Sequence, residues 1–400
     1  MRRTMWSCLA VALFAVAAAA AEKTEPKMEV VAEWNSLPYL VKDAKIRERW
    51  ESSAIYGKAL LHGVKVDSQG NIYVSTARWD GKEIPATLSK LVRQGEGWAL
   101  EAFPSEKFNA VDNPDGIKAV LGFEIDRNDV MWILDQGHIA GAQSGPKDEK
   151  LILWDIKANK EIKRYVFSDK DSDHKASFLN DVAVDNDTGF AYIADSGIFS
   201  YPLSGGLIIY DSNTNTARRI LDKSPFTRNE PHFFFNIDGN PVTKGGPMLT
   251  GADGIALSGD KKTLYWTNLT GNTLYSLDAA PLRDFNTPEK DIEKAIRIVT
   301  SLPSNTDGIT SDRDGNLYMT ALTLNGLMRR DAKTGELTRF VYHKSMSWPD
   351  TVGWGPEKSL YVVSNHLNIH VQGDMDFVAP AYPNFRIWKI HGVGESYTAK

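Results

Sequence analysis

The feature that most constrains this chain is a phrase that recurs six times along it. Each copy has a small or polar approach, a short apolar run, a polar turn and a second apolar run. In the clearest copy, residues 304–320, the turn is formed by Asp314, Gly315 and Asn316. Gly and Asn tolerate positive φ and Asp can hydrogen-bond its own backbone, so such a turn joins two antiparallel strands. The phrase therefore predicts six strand–turn–strand units.

The spacing of the copies indicates the architecture. One residue at the same position of each copy serves as its marker, and the six markers are His62, Leu121, Asn180, Asp253, Asp307 and Asp350. The intervals between them are 59, 59, 73, 54 and 43 residues. Irregular periods of about 40–60 residues are typical of propeller blades with loops of different length. A lone blade cannot bury both faces of its sheet, so the sequence predicts an all-β fold, a six-bladed β-propeller.

The strand that closes the ring is predicted near the N-terminus. Residues 28–34 read as an edge strand without a blade of its own, and residues 384–390 form the last predicted strand. Pairing of these two strands would remove a free sheet edge. We therefore expect a lead-in with the closing strand at residues 22–60, in which residues 42–50 form either a short helix or an irregular segment. The propeller itself is expected at residues 61–392, closed by its N- and C-terminal strands.

Residues 1–21 have the pattern of a secretory signal peptide. Arg2 and Arg3 precede an apolar stretch and an Ala-rich cleavage region, and the stretch is too short and too Ala-rich for a stable membrane span. Cys8, the only cysteine of the chain, leaves with this segment, so the mature protein is expected to have no disulfide and no thiol chemistry. The predicted location is secreted or periplasmic, without stable membrane insertion.

The charge distribution and the motifs of the sequence indicate which kinds of partner the protein is expected to bind. Lys and Arg total 46 against 51 Asp and Glu, a formal net charge of −5, and the charges are interspersed without a basic stripe. Nucleic acid is therefore not an expected partner. A Gly-Lys-Ser/Thr phosphate loop and a Gly-x-Ser-x-Gly elbow are both absent from the sequence, which disfavours nucleotide chemistry and serine hydrolysis. The expected partner is a small-molecule ligand.

Several phrases resemble those of the Yellow / major royal jelly protein family. The resemblance runs in the family's order over roughly residues 60–390 and is specific as a set. It is carried by residues 78–88, 132–137, 150–156, 178–185, 191–197, 206–211, 253–258, 282–284, 364–367 and 384–387. The ring layout also resembles the wider regucalcin/gluconolactonase group of six-bladed propellers. The resemblance departs from animal Yellow proteins in the lack of cysteines after the signal. The short signal without eukaryotic features indicates a bacterial member.

The resemblance leaves the activity open, because the family is functionally divided. Some members resemble dopachrome-converting tautomerases, some bind aromatic amines or other small ligands, and some are structural or nutritive proteins. We expect a propeller that acts on or binds a small aromatic, amine or quinone-like molecule at the mouth of the central channel. Three alternatives stand: a dopachrome-type tautomerase, a non-catalytic ligand-binding protein, and a divalent-metal-dependent lactonase of the gluconolactonase type.

The candidate site follows from the ring. Innermost strands of a propeller start at the same end of the channel, so the six markers (with Glu124 as the alternative to Leu121) are expected to converge there. For a tautomerase, His62 is the candidate general base near neutral pH, with Arg78 steadying an oxyanion. For a binding site, the expected ligand contacts are Asp307, Asp350, Asn365, His138 and Phe234, the last as part of an aromatic lid.

A metal site is the third expectation. Asn180 and Asp253 match the Asn and Asp that hold the metal in regucalcin-like lactonases, and oxygen donors at one mouth suit Ca²⁺ or another divalent cation. The Glu that this group places in its first blade is replaced by His62. No other cofactor is predicted. Alternatively, the Asn-Asp and Asp-Gly pairs simply turn and cap the start of each strand.

Overall fold

Six antiparallel sheets surround a central channel in the computed structural model, which describes residues 25–243 and 245–399. The predicted signal peptide at residues 1–21 lies outside this range. In each sheet the strand that comes first within its repeat is innermost, and the next strands follow outward. The all-β, six-bladed propeller predicted from the six phrases is therefore confirmed.

The first three blades each contain four antiparallel strands, which are named in order from the channel outward. Blade 1 consists of Val64–Val66, Ile72–Ser75, Leu88–Gln94 and Gly97–Ala102, with Tyr39–Leu40 added in parallel to its outer edge. Blade 2 consists of Val120–Ile125, Val130–Asp135, Lys150–Asp155 and Lys160–Val166. Blade 3 consists of Leu179–Asp185, Phe190–Asp195, Gly206–Asp211 and Thr216–Ile220.

The last three blades repeat the arrangement, and blade 6 takes its outermost strand from the N-terminal lead-in. Blade 4 consists of Ala252–Leu257, Thr263–Asn268, Thr273–Asp278 and Arg297–Ser301. Blade 5 consists of Ile309–Ser311, Leu317–Ala321, Gly326–Arg330 and Leu337–Tyr342. Blade 6 consists of Pro349–Gly355, Ser359–Ser364, Phe385–Ile390 and Met28–Trp34.

The ring closes where the two ends of the chain meet. Met28–Trp34 pairs antiparallel with Phe385–Ile390, with one register shift between Val30 and Ala32. The predicted closure by N- and C-terminal strands is confirmed. Blade 6 therefore contains three strands from one end of the chain and one from the other, and every blade has two neighbours.

Helices are short and lie outside the sheets. They are Ala44–Glu51, Glu106–Asn109, Ala279–Arg283, Glu289–Lys294 and Leu367–His370, with a 3₁₀ turn at Leu322–Leu324. The first lies in the lead-in, where a short helix is one of the two expectations, and the carboxylate of Asp43 caps it by accepting from the N–H groups of Lys45 and Ile46. None of the helices in the described part of the chain is long and apolar enough to cross a membrane.

The hydrophobic core is divided among the interfaces between blades. Trp132, Val184 and Ile193 pack together between blades 2 and 3, and Ile209 and Trp266 pack between blades 3 and 4. Each sheet has two apolar faces, and each face packs against one neighbouring blade. Both faces are buried from water only when the ring is complete. Ring closure is therefore the condition for burying the core.

The polar turns of blades 1 and 5 are held by the same hydrogen bonds, which an Asp side chain accepts. Asp312 directly follows the innermost strand of blade 5, and its carboxylate accepts from the backbone N–H of Asn316 at 2.8 Å and from the hydroxyl of Tyr318 at 3.0 Å. In blade 1 the Asp67 carboxylate accepts in the same way from Asn71 and Tyr73. In the blade 5 turn Gly315 has φ +85°, the conformation expected for the Asp-Gly-Asn sequence. The Asp four residues before the Asn thus holds the turn.

The Asp-Gly pairs lie where the innermost strands begin, at a bulge that brings two neighbouring blades into close contact. In blade 4 the register shifts between Ala252 and Ile255, a bulge that contains Asp253. A Cβ added to Gly254 would lie 2.1 Å from the carbonyl oxygen of Asp307, so only glycine admits the neighbouring blade at this distance. Comparable register shifts occur at the same place in blades 2, 3 and 6. The residue before this glycine, Asp253 in blade 4, therefore lies at the channel mouth.

Candidate functional site

A cavity of about 260 Å³ lies at the channel mouth, where the innermost strands begin. Its polar part, which we call the carboxylate floor, comprises Asn180, Asp253, Asp307 and Asp350. Its apolar wall includes Trp79, Leu121, Phe178, Phe199, Leu269 and Leu367. The structure thus brings five of the six marker residues together around one space, while the sixth, His62, lies behind the wall.

Two of the floor carboxylates accept hydrogen bonds from neutral donors. Nδ2 of Asn180 donates to Oδ2 of Asp253 at 2.7 Å, and Nε1 of Trp348 donates to Oδ2 of Asp307 at 2.8 Å. Asp253 is 1% exposed and Asp307 9% exposed. Neither carboxylate forms an ion pair with a Lys or Arg among the described residues. Their charge is therefore left for a proton or a ligand to neutralise.

Burial is the main cause that raises the pKa of both Asp253 and Asp307 well above the usual range, and the charge of Asp350 adds to it. The two carboxyl groups also hydrogen-bond to each other, which lowers the pKa of Asp253 and raises that of Asp307. The ionisation of the two carboxyl groups is therefore linked, and it is harder for both to be ionised together than for either one alone.

Asp350, the third floor carboxylate, is held by Asn365. Nδ2 of Asn365 donates to Oδ2 of Asp350 at 2.6 Å and to the carbonyl oxygen of Leu61 at 2.8 Å. The hydroxyl of Thr351 donates to Oδ1 of Asp350 at 2.9 Å. Asn365 is fully buried, so it supports the carboxylate from behind and does not line the cavity.

His62 is fully buried and reaches the cavity only through its neighbours. Its ring lies against the ring of Trp79, with 4.1 Å between centroids, and its Nδ1 is 3.6 Å from Oδ2 of Asp350. Neither ring nitrogen has a hydrogen-bond partner among the described residues. A ligand in the cavity would meet Trp79 and Asp350 before it met His62.

Arg78, the other candidate catalytic residue, holds a loop together. It is 1% exposed, and its guanidinium donates to the carbonyl oxygens of Ile84 at 3.0 Å and Asn109 at 2.6 Å, among others. It does not line the cavity. Since the next residue is Trp79, the effect of Arg78 on the site is to fix the loop that carries this part of the apolar wall.

The insertion before blade 4 does not form the expected lid. Phe234 is 61% exposed and lies outside the cavity, whereas Phe235 is 2% exposed and stacks on Trp348 with 5.7 Å between ring centroids. The insertion itself contains a small hairpin, Asn236–Ile237 paired with Asn240–Pro241. The insertion therefore packs behind the carboxylate floor rather than over the mouth.

His138 does line the cavity, with its nitrogens turned away from it. Nδ1 donates to the carbonyl oxygen of Ala142 at 2.9 Å, Nε2 is 3.5 Å from Oε1 of Glu149, and the ring lies 4.4 Å from that of Phe199. Burial opposes the charged form, but Glu149 and the Ala142 carbonyl outweigh it, so the pKa of His138 is raised. His138 thus presents the face or edge of its ring to a ligand.

Below the floor the channel carries further charge. Leu121 lies in the cavity wall, whereas the alternative marker Glu124 lies deeper and accepts from Nζ of Lys65 at 3.0 Å. Desolvation in the channel raises the pKa of Asp181 to about 6. From the opposite end the buried Tyr397 reaches in, and its hydroxyl accepts from the N–H of Val184 at 3.1 Å.

The residues present do not fit the cation site of the lactonase expectation. The amide nitrogen of Asn180 donates directly to Oδ2 of Asp253, and His62, which has no hydrogen-bond partner among the described residues, stands where the regucalcin-like lactonases have a glutamate. Among the described residues no group of three or more His, Cys, Asp or Glu side chains has an arrangement that would hold a metal ion.

Comparison with known proteins supports the family resemblance of the sequence. Residues 118–392 match the sequence profile of the family described as Major royal jelly protein. Protein yellow of Drosophila madeirensis is 24% identical over 400 residues, which covers 95% of this chain and 68% of the relative. Major royal jelly protein 6 of Apis mellifera is 24% identical over 303 residues, which covers 72% of this chain and 65% of that protein.

One solved structure supports the fold independently. A luciferin-regenerating enzyme superposes with a TM-score of 0.53 at 13% sequence identity, covering 94% of this chain and 99% of that one. At this level of identity the likeness concerns the fold alone.

Proposed function

This chain belongs to the major royal jelly protein family, and from that premise we propose that it is an exported propeller that binds a small aromatic amine at the channel mouth. The observation that carries the proposal is the carboxylate floor: Asp253, Asp307 and Asp350 lie buried under an otherwise apolar cavity without a paired Lys or Arg among the described residues. The predicted signal peptide supports export.

Buried carboxylates must be neutralised by a proton or by a cation. Leaving several buried carboxylates ionised side by side costs free energy, which is why the pKa of Asp253 and of Asp307 is raised well above the usual range. An ammonium group can take the place of a proton and hydrogen-bond to more than one carboxylate oxygen. The rest of the ligand would lie against Trp79 and Phe178, where an aromatic ring gains both buried area and ring contacts.

Cavity size limits the ligand to a small molecule. A volume of about 260 Å³ is slightly below the ~300–1,000 Å³ of sites that take drug-sized molecules. The walls therefore favour a single ring with a short aminoalkyl chain over a peptide or an oligosaccharide.

A matched set of probes tests the proposal. We expect 2-phenylethylamine to bind, 2-phenylethanol to bind weakly for lack of the charge, and n-propylamine to bind weakly for lack of the ring. Isothermal titration calorimetry at pH 7 measures all three. Equal affinity for the amine and the alcohol, or no heat with any aromatic amine, would remove the proposal.

A second candidate function is proton transfer in an isomerase of quinone or enol type. The raised pKa of Asp253 and Asp307 supports it, because a carboxyl group that keeps its proton above the usual pH range can act as a general acid and, once ionised, as a general base. Asp307, which lines the cavity, then takes the role that the sequence had offered to His62. Conversion of dopachrome-type quinones that is lost in Asp307→Asn would support this candidate, and inactivity of the wild type on such substrates would remove it.

A further inference from the structure

We infer that Trp348 is a positioning residue of the site, because its indole fixes the carboxylate of Asp307 while its backbone fixes Asn365 and, through it, Asp350. The consequence for ligand binding rests on the proposed function. The consequence for the carboxylates themselves does not depend on any ligand.

Trp348 connects two of the three floor carboxylates. Its Nε1 donates to Oδ2 of Asp307 at 2.8 Å, and its carbonyl oxygen accepts from the backbone N–H of Asn365 at 3.3 Å. The side chain of Asn365 in turn donates to Oδ2 of Asp350 at 2.6 Å. One residue of blade 6 therefore sets the position of a carboxylate from blade 5 and of one from its own blade.

The backbone of Trp348 is held in an unusual conformation. Its φ is +46°, in the left-handed region that a bulky side chain rarely adopts, and the residue is fully buried. Such a conformation persists only where surrounding contacts impose it, and it is found preferentially at functional sites. In this protein it coincides with the turn that aims the indole N–H at Asp307.

The insertion before blade 4 supplies one of these contacts. Phe235 stacks on Trp348 with an angle of 25° between the rings, and Ile237 and Val242 are buried in the same hydrophobic cluster. The insertion thus supports the floor through Phe235 and Trp348, with the ligand on the other side. The insertion therefore stabilises the carboxylate floor, although Phe235 does not line the cavity.

The hydrogen bond from Trp348 changes the pKa of Asp307 in a definite direction. Burial and the charges of Asp350 and Asp253 raise the pKa of Asp307, while the Trp348 N–H lowers it because it stabilises the ionised form. Asp307 is protonated in both folded and unfolded states below its ordinary pKa. Stability that depends on that proton is lost as pH rises through the folded-state pKa. Removing the N–H raises this pKa further, so the loss of stability must grow with pH.

The substitution Trp348→Phe tests this without a ligand. It keeps the ring against Phe235 and removes only the N–H donor. The matched control is Trp354→Phe, since the Trp354 N–H donates to the neutral hydroxyl of Thr310 at 3.0 Å. Thermal unfolding is followed from pH 4 to pH 9. We expect the deficit of Trp348→Phe relative to wild type to widen with pH, and that of Trp354→Phe to stay constant. A constant deficit in both variants would overturn the inference.

Ligand binding gives the second measurement. At pH 7 we expect Trp348→Phe to bind 2-phenylethylamine about tenfold more weakly than wild type, because protonation of Asp307 then competes more strongly with the ammonium group. Trp354→Phe should bind like wild type. If wild type binds no amine while the widening deficit is seen, the proposed function fails and the role of Trp348 stands. If amine binds equally to both variants, the role of Trp348 fails and the proposed function stands.

A second variant covers the case in which Trp348→Phe does not fold. Phe235→Leu leaves the indole in place and removes its stacking partner, so the indole N–H is held less firmly. We expect a smaller change in the same direction, a deficit that widens with pH. A deficit that does not vary with pH would count against the inference in this variant too.

Discussion

Nδ2 of Asn180 lies 2.7 Å from Oδ2 of Asp253, although the two residues are 73 positions apart and belong to adjacent blades. The bond from Trp348 to Asp307 likewise joins blade 6 to blade 5 across 41 positions. The carboxylate floor is thus built from contacts that cross blade boundaries. It can exist only when the ring is closed, which ties the site to the fold.

Removal of the closing strand should therefore destabilise the protein and abolish the site together. Deletion of residues 22–34 leaves Phe385–Ile390 as an exposed sheet edge and removes the buried Ala32. We expect a much lower unfolding temperature and aggregation, as measured by differential scanning calorimetry and light scattering. Deletion of residues 22–26 is the control, because it leaves the strand intact. An unchanged unfolding temperature in the longer deletion would contradict this dependence of the site on ring closure.

Amine binding should release protons and strengthen as pH rises. Because burial raises the pKa of Asp253 and Asp307, the unliganded site holds protons that an ammonium group must displace. Each pH unit below the raised pKa then costs up to about tenfold in affinity. Titration calorimetry in two buffers with different heats of ionisation measures the protons released. Heats that are the same in both buffers would show that none is released.

The aromatic wall should select for the ring of the ligand. We expect Trp79→Leu to weaken binding of 2-phenylethylamine by about 1–2 kcal/mol, the value of one aromatic contact with its buried area. Binding of n-propylamine should change little. Trp354→Leu, on a tryptophan that does not line the cavity, is the control. If both amines lose the same affinity in Trp79→Leu, the wall does not recognise the ring.

For the isomerase candidate, His62 and Asp307 should differ sharply. His62 is fully buried with both ring nitrogens unpartnered among the described residues, so His62→Phe removes no hydrogen bond and keeps a ring against Trp79. We expect turnover of a quinone substrate to fall only a few-fold in His62→Phe and to vanish in Asp307→Asn. Steady-state kinetics decide between them, and the reverse order of effects would restore His62 as the base.

Much of the fold was predictable from the sequence because a propeller repeats one local pattern. The turn chemistry of Gly315 and the unpaired edge strand at Met28–Trp34 are local signals, and together they predicted the blades and the closure. The helices Ala279–Arg283 and Glu289–Lys294 were not predicted, since they occupy a connection between outer strands of blade 4 that no repeat specifies. The C-terminal Tyr397 was missed for the same reason.

The candidate site likewise has residues that the sequence predicted and residues that it did not. The carboxylates of the floor are at equivalent positions of the repeat, so their convergence followed from the phase of the pattern. Trp79, Phe178, Phe199 and Leu367 come from connections of different length, and their meeting depends on the path of each loop. Trp348 directly precedes the last repeat, yet its role depends on a positive φ and on Phe235, neither of which has a sequence signal.

The most direct test of the central claim is a calorimetric titration of wild type and Asp307→Asn with 2-phenylethylamine at pH 7. Asp291→Asn serves as the control, since it removes one carboxylate from the exposed surface of the helix Glu289–Lys294. We expect one binding site per chain in wild type and Asp291→Asn, and at least tenfold weaker binding in Asp307→Asn, because a charged hydrogen bond contributes about 1.5–3 kcal/mol. Equal binding in all three proteins would contradict amine recognition by the carboxylate floor.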